Sequence, residues 1–498
     1  MLMFLAASVG ILPAQADPPL PDRLSPALQE QIRQLGAGER LAAIIHLDSQ
    51  ADPAPLPALT GPSGGGRYGG TGSAGQANRQ QALIEGLQSR AAAAQKPLLM
   101  GLRAAQSRGE AGMVVSLWIN NSILVEAGPR LLAALAQRPE VAQIVPDYDP
   151  ASPIVPAGEG AGWELARSAS AGPPEPNLAV IGATDLWALG NTGQGITVAV
   201  LDTGVDATHP DLAGRYRGGT NSWFDPYGQH ATPYDYLGHG TWVAGVIVGD
   251  GTGNGTTSRS TGVAPGAQWI AAKIFPTPPK LQSYAAVHQA FQWVLDPDGN
   301  PATADAPQVV NNSWDFGPNS CNLEFQPDLQ ALRAAGILPV FAAGNYGPGP
   351  NTSASPANNL GAFSVGAVDN SGLVVALSSR GANACDPARL FPSAVAPGFN
   401  IFTTDLLSRY VAETGTSLSA PHASGGLALL LSAYPYLSPE LQEQLLIRGA
   451  ADLGVGGPDP DYGNGLLNLP AALASLHQYY VPYLASSAYW FYFPLVQK

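Results

Sequence analysis

Four polar residues stand where a hydroxyl could become a nucleophile and the charge it creates could be held. Ser417 lies in Gly415-Thr416-Ser417-Leu418-Ser419-Ala420-Pro421-His422, a turn of small residues running into the apolar segment 427–433. If that segment is a helix, the hydroxyl sits in its first turn, where unpaired N–H groups and the dipole favour negative charge. The same shape also fits an ordinary N-cap, so the serine alone decides nothing. Asp202 ends the apolar run 196–201, His239 opens His-Gly-Thr-Trp-Val-Ala-Gly, and Asn345 follows the run 337–343 in Ala-Gly-Asn. A serine is a weak nucleophile until a base takes its proton. His239 can do so if Asp202, costly to bury unpaired, fixes its tautomer and stabilises the imidazolium. The Asn345 amide and the Ser417 N–H would then hold a tetrahedral oxyanion. That is acyl transfer at a carbonyl.

The stretches that must position these groups read as a doubly wound α/β fold. Apolar runs at 196–201, 269–275, 308–310, 337–343 and 363–368 are unbroken rather than alternating, as in a parallel sheet covered on both faces. Helical patterns at 240–248, 284–295 and 327–335 fall between them, and Ser438-Pro439-Glu440 opens another, ending at Arg448. In such folds the site lies at the carboxyl ends of the strands, where Asp202 and Asn345 fall. Upstream, residues 40–147 suggest a small α+β unit. Its expected elements are a strand at 41–47, a helix at 76–107 notched at Pro97, a hairpin turning at Asn120-Asn121, a short helix at 129–137 and a strand at 141–145. Residues 17–38 read as a polar, Pro-rich leader, and the Pro/Ala/Gly/Ser stretch 149–177 as a linker.

Composition narrows the setting. The chain has 498 residues, only 12% of them charged, with 58 Gly, 46 Pro and a net charge of −14. That is loop-rich yet 45% apolar, enough for a large core. The acidic balance excludes a nucleic-acid partner, whose phosphates it would repel. Residues 1–16 read as an export signal ending in Ala14-Gln15-Ala16, and later apolar runs are too interrupted to span a bilayer. In an exported protein Cys321 and Cys385, both in polar loops, read as one disulfide. The tail 476–498 is dense in aromatics, which suits either surface docking or packing back on the domain.

Taken together, Asp-Thr-Gly at Asp202, His-Gly-Thr at His239, Ala-Gly-Asn at Asn345 and Gly-Thr-Ser at Ser417 resemble the subtilisin-like serine peptidases. Gly262-Val263-Ala264-Pro265-Gly266 and the stretch from Tyr462 to Asn468 extend the likeness over residues 178–475. Asn311-Asn312-Ser313-Trp314 and Trp269-Ile270-Ala271-Ala272-Lys273 look most like the bacillopeptidase F branch. The resemblance implies a secreted or surface-associated endopeptidase acting on protein or peptide substrates, expected as a monomer and needing no cofactor for its chemistry. Asp202, His239 and Ser417 would form the triad, Asn345 the oxyanion hole, and Ser313, Trp314 and Asp315 the substrate-binding segment. Residues 40–148 are similar to inhibitory propeptides, which implies a propeptide over 17–148 and a self-processed zymogen cut between Asp147 and Pro174. In relatives the position of Asp211 often binds calcium, and 250–254 reads equally as an oxygen-rich calcium loop or a plain turn. Trp242 stands where relatives often carry a second histidine, and Asp315-Phe316 where a glycine is expected. His46, His209, His230, His288, His422 and His477 read as structural or solvated. An α/β-hydrolase esterase would need Gly-x-Ser-x-Gly and its fitting histidine after the serine; here the motif is Gly-Thr-Ser-Leu-Ser and His239 comes first.

Overall fold

The computed structural model describes residues 21–36, 38–48, 73–157, 173–251 and 260–479. The export signal and nearly all of the aromatic tail read from the sequence lie outside the described residues.

The N-terminal module is α+β. Its elements are α1 (Pro26–Gln34), β1 (Leu41–Leu47), α2 (Ser73–Ser107), β2 (Ala111–Leu117), β3 (Ser122–Ala127), α3 (Pro129–Leu135) and β4 (Val141–Pro146). Its strands form an antiparallel sheet in the order β2-β3-β1-β4. The sequence reading of residues 17–38 as a leader fails for α1. There the Ser25 hydroxyl accepts from the Leu28 amide, Pro26 opens the first turn, and Leu28 and Ile32 are buried. Pro97 lies inside α2, which continues past it.

Within the stretch read as a linker, Val155–Pro156 is a short strand, β5. The large domain continues with α4 (Pro176–Val180), α5 (Ala183–Ala188), β6 (Thr197–Asp202), α6 (Pro210–Ala213), β7 (Trp223–Phe224), α7 (His239–Val248) and β8 (Gln268–Lys273). After α8 (Tyr284–Leu295), β9 (Val309–Asn312), β10 (Trp314–Asp315) and α9 (Gln326–Ala334) come β11 (Leu338–Ala342) and β12 (Phe363–Val368). A small pair, β13 (Gly381–Ala382) and β14 (Leu390–Phe391), leads to β15 (Ala394–Pro397) and the hairpin β16 (Ile401–Asp405) and β17 (Arg409–Glu413). Three helices end the described chain: α10 (Thr416–Ala433), α11 (Pro439–Gly449) and α12 (Leu469–Tyr479).

Seven strands pair in the order β15-β12-β11-β9-β6-β8-β7, every pairing parallel. The doubly wound α/β reading is borne out. Along β6, Val198 and Val200 enter one core and Ala199 and Leu201 the other, so both faces of the sheet are covered. Chain order reverses between β6 and β9, which makes the crevice at their carboxyl ends the place for a site. The almost wholly buried α10 packs against β9, β11 and β12.

Cys321 and Cys385 are bonded across 64 positions of sequence, with Cα atoms 4.9 Å apart. In the chain-entropy account a loop of that length is worth about 4 kcal/mol. Replacing both by Ser should lower the unfolding free energy by about that amount. Urea unfolding of the two proteins measures the difference.

Candidate active site

Asp202, the last residue of β6, is wholly buried. Its Oδ1 lies 2.7 Å from His239 Nδ1 and accepts from the Thr203 amide at 2.7 Å. His239 opens α7, and the helix can come this close because Gly240 has no Cβ. One there would stand 2.0 Å from the Gly204 carbonyl oxygen. The start of α7 is held by a second carboxylate that sequence reasoning missed. Asp235 accepts from the amides of Leu237, Gly238 and Thr241 and from the hydroxyls of Thr203 and Thr241. It sits four residues before His239, where the only available signal was an acid ahead of a helix. Lys273, buried at the end of β8, donates to the Thr203 carbonyl at 2.6 Å. Burial brings its pKa down to about 8, against the opposing pull of Asp235, Asp225 and Asp202. Burial also opposes charge on His239, but the Asp202 carboxylate outweighs it and holds the imidazole above its ordinary pKa.

Ser417 lies in the first turn of α10, buried, with its Oγ free of any hydrogen-bond partner. Asn345 leaves β11 through Gly344, which takes a φ of +103°. Its Oδ1 accepts from the Thr416 amide at 2.9 Å and the Thr416 hydroxyl at 3.0 Å, which aims its Nδ2 the other way. A Cβ placed on Gly415 would stand 3.1 Å from Asn345 Nδ2, 3.2 Å from Ser417 Oγ and 3.4 Å from the carbonyl oxygen of Ala157. Those three atoms therefore converge on one small space. The Ala157 carbonyl also favours the charged form of His239, although His239 Nε2 has no aligned partner. Ala157 lies between the groups read from the sequence.

The segment bearing Ala157 is laid down as a strand. Val155 pairs with Asp315 and Pro156 with Trp314, antiparallel, and the Ala157 amide donates to the Ser313 carbonyl at 2.9 Å. It is the backbone of Ser313, Trp314 and Asp315 that makes this contact. The Ser313 hydroxyl instead donates to the Ser417 carbonyl at 2.9 Å, and the Trp314 ring packs among Phe316, Phe325 and Phe341. The Asp315 carboxylate is fully buried, and its Oδ1 accepts from the Tyr346 hydroxyl at 2.6 Å and the Gly317 amide at 2.7 Å. Burial raises it to about 6, with both hydrogen bonds pulling the other way.

The calcium reading of Asp211 meets a different environment. The residue is wholly buried and its Oδ2 accepts from the Tyr410 hydroxyl at 2.6 Å, so that oxygen is engaged by protein rather than open to a metal. Asp250 bonds Arg215 at 2.9 Å, and most of the proposed loop 250–254 lies outside the described residues. Trp242 donates its indole N–H to Asp405 and sets its ring edge-on to His239, 5.6 Å between centroids. His422 is structural: its Nδ1 meets the Leu418 carbonyl at 2.7 Å, its Nε2 meets Asn177, and burial lowers it to about 4.

A sequence model of the Subtilase family matches residues 193–465, more than half of the chain. The chain belongs to that family. Subtilases are serine endopeptidases. This one is 33% identical to bacillopeptidase F of Bacillus subtilis (strain 168), over 80% of its own length and 29% of that protein's. It is 34% identical to the major intracellular serine protease of the same organism, over 59% of this chain and 87% of the other. Against subtilisin DY of Bacillus licheniformis the identity is 32%, over 59% and 97%. The chain thus spans less than a third of bacillopeptidase F and most of the two shorter relatives.

The raised pKa of His239 fixes the sign of a pH effect in this subtilase. With His239 as the base, the imidazole must be neutral to accept the serine proton, and the acid limb of kcat/KM should then lie above the roughly 6.5 of an unperturbed imidazole. Asp202→Asn should move that limb to lower pH and cut kcat by about ten-thousandfold, because the amide holds the wrong tautomer. Rates on a chromogenic peptide between pH 5 and 9 test both.

Proposed function

We propose that this subtilase is an exported serine endopeptidase made as a precursor that cuts itself between Ala157 and Gly158. The reading rests on one observation: the Ala157 carbonyl shares its space with Asn345 Nδ2 and Ser417 Oγ at the end of a strand paired to Trp314–Asp315. Ser417 Oγ attacks the Ala157 carbonyl carbon while His239 Nε2 takes its proton. The oxyanion accepts from Asn345 Nδ2 and the Ser417 amide, donors each worth roughly 3–4 kcal/mol of barrier elsewhere. His239 then gives the proton to the departing Gly158 nitrogen. Water, deprotonated by the same imidazole, releases Ala157 as a carboxylate. Other proteins or peptides enter by the same strand pairing once the N-terminal module has left.

In this reading residues 17–157 template and then inhibit the large domain. The support is their docking. The Asp147 carbonyl and carboxylate accept from the Tyr284 and Ala285 amides at 2.8 and 2.7 Å, the open N-terminus of α8. A parallel sheet rich in long-range contacts folds slowly, so a docked template lowers its barrier. Expressed in a host lacking other peptidases, Ser417→Ala should accumulate uncut, while the wild type should yield a mature chain whose first residue is Gly158. Equal processing of both, or a first residue away from Gly158, overturns the reading; mass spectrometry and terminal sequencing report it.

Side-chain preference follows from the register. Opposed residues share a face and alternate residues return to it, so the residue before the cut points to the Asp315 side of the strand. Asp315 Oδ2 is buried there without a partner. We infer a preference for Lys or Arg over Leu at that position, growing as pH rises through about 6 and Asp315 ionises. Asp315→Gly should reduce the Arg-to-Leu ratio of kcat/KM about tenfold, one charge contact's worth. An unchanged ratio refutes it.

A further inference from the structure

The loop between α8 and β9 reads Asp296-Pro297-Asp298-Gly299-Asn300-Pro301-Ala302-Thr303-Ala304-Asp305. Asp296, Asp298 and Asp305 each bring a carboxylate oxygen to within 4.8 Å of the other two. Oxygens bound to calcium at about 2.3–2.6 Å can lie at most roughly 5 Å apart across the ion. Three protein carboxylates in one group suit calcium better than magnesium, which keeps several of its waters and is bound through one or two carboxylates.

Acidic residues gather on many surfaces without a metal; the hydrogen bonding sets this group apart. Asp296 is only 8% exposed, and its Oδ1 is buried with no hydrogen-bond partner. Asp305 Oδ1 is likewise buried and unpartnered. Buried polar atoms are nearly always satisfied, and two bare carboxylate oxygens in one three-acid group point to a cation as the missing partner. The groups around them leave those oxygens free. Asn221 donates to Asp305 Oδ2 at 2.8 Å, the Asn300 amide donates to Asp298 Oδ1 at 2.9 Å and also acts on Asp296, and Gln88 of α2 bonds Asp296. Arg217, the basic residue beside the group, spends its N–H groups on the carbonyls of Asp305 and Asn221 and on the Ser222 hydroxyl. Its charge softens the site without pairing with a carboxylate oxygen. Burial first, with the Asp298 charge adding to it, holds Asp296 and Asp305 above the usual carboxylate range.

We propose that Asp296, Asp298 and Asp305 bind a calcium ion, with loop carbonyls and water completing its oxygen shell. The ion would tie the end of α8 to the start of β9, the strand that runs into Ser313. Because Gln88 reaches Asp296, and Gln80 the neighbouring Leu295 carbonyl at 3.4 Å, the site also lies where α2 docks.

The test uses the full-length Ser417→Ala precursor, stripped with a chelator and titrated calorimetrically with calcium chloride and, separately, magnesium chloride. Two further proteins add Asp298→Asn or Asp305→Asn. Asp298 is exposed, so its amide leaves the fold intact, which circular dichroism checks. The parent should bind one more calcium per chain than either variant, or bind it at least tenfold more tightly. Calcium should raise the parent's Tm more than that of the variants. Equal calcium stoichiometry and affinity in parent and Asp298→Asn overturns the site, as does a parent that binds no calcium at millimolar concentration. Magnesium binding as tightly as calcium overturns the choice of ion.

Discussion

The hydrogen bond from His239 Nδ1 to Asp202 Oδ1, 2.7 Å long and cut off from solvent, is the constraint on which the catalytic half of this molecule depends. A carboxylate at the end of a fully buried strand is tolerated only with partners, and its partner in turn must be held to it. That requirement accounts for much of the surrounding architecture. Gly240 lets α7 approach the 202–204 turn, Thr203 bridges from Asp235 to the Gly240 amide, and Lys273 fixes the Thr203 carbonyl. Asp235 is thus a positioning residue, supporting the imidazole through the helix that carries it.

A second buried network joins the two modules. His288 of α8 contacts Asp328 at 2.9 Å and Glu324 at 3.0 Å, and His46 of β1 meets the same Glu324 at 3.1 Å. Burial opposes the His288 charge, but the two acids overcome it and raise the group to about 10. Glu324 shows the mirror image: burial works against its charge, and the two imidazoles hold it far below the usual range. Asn120 of the N-terminal module reaches the same imidazole. Around this polar centre, Ile44, Ile84 and Leu124 of the N-terminal module share one apolar cluster with Phe291 and Trp293 of α8. The docked module therefore completes a core as well as a charge network.

What could be read before the structure was what local rules encode. Unbroken apolar runs require burial on both faces, and they gave a parallel sheet with strand ends within a residue or two of those observed. Phe363–Val368 and Tyr284–Leu295 coincide with the runs expected there. Failures came where tertiary contact supplies the order. The segment 149–177 has the composition of a linker, yet Val155–Pro156 becomes a strand because β10 offers it unpaired backbone groups. Residues 17–38 look polar and Pro-rich, yet Ser25, Pro26, Leu28 and Ile32 are enough for a capped amphipathic helix once β4 is beside it.

The same division runs through the site. Residue type and order alone suggested the chemistry, because only a few side chains can be nucleophile, base, orienter and oxyanion donor, and Ser417, His239, Asp202 and Asn345 each stand at a strand end or helix start. Roles could be proposed for them without coordinates. The sequence also carried the acids of the 296–305 loop, but not their convergence. Only the tertiary structure decided which carbonyl shares its space with Asn345 Nδ2 and Ser417 Oγ, that Asp315 is tied to Tyr346, and that Asp296 and Asp305 each keep a bare oxygen. Those facts depend on residues far apart in the chain meeting at distances of a few ångströms. Local propensity and spacing carry no information about such meetings, because they are set by how the whole core closes.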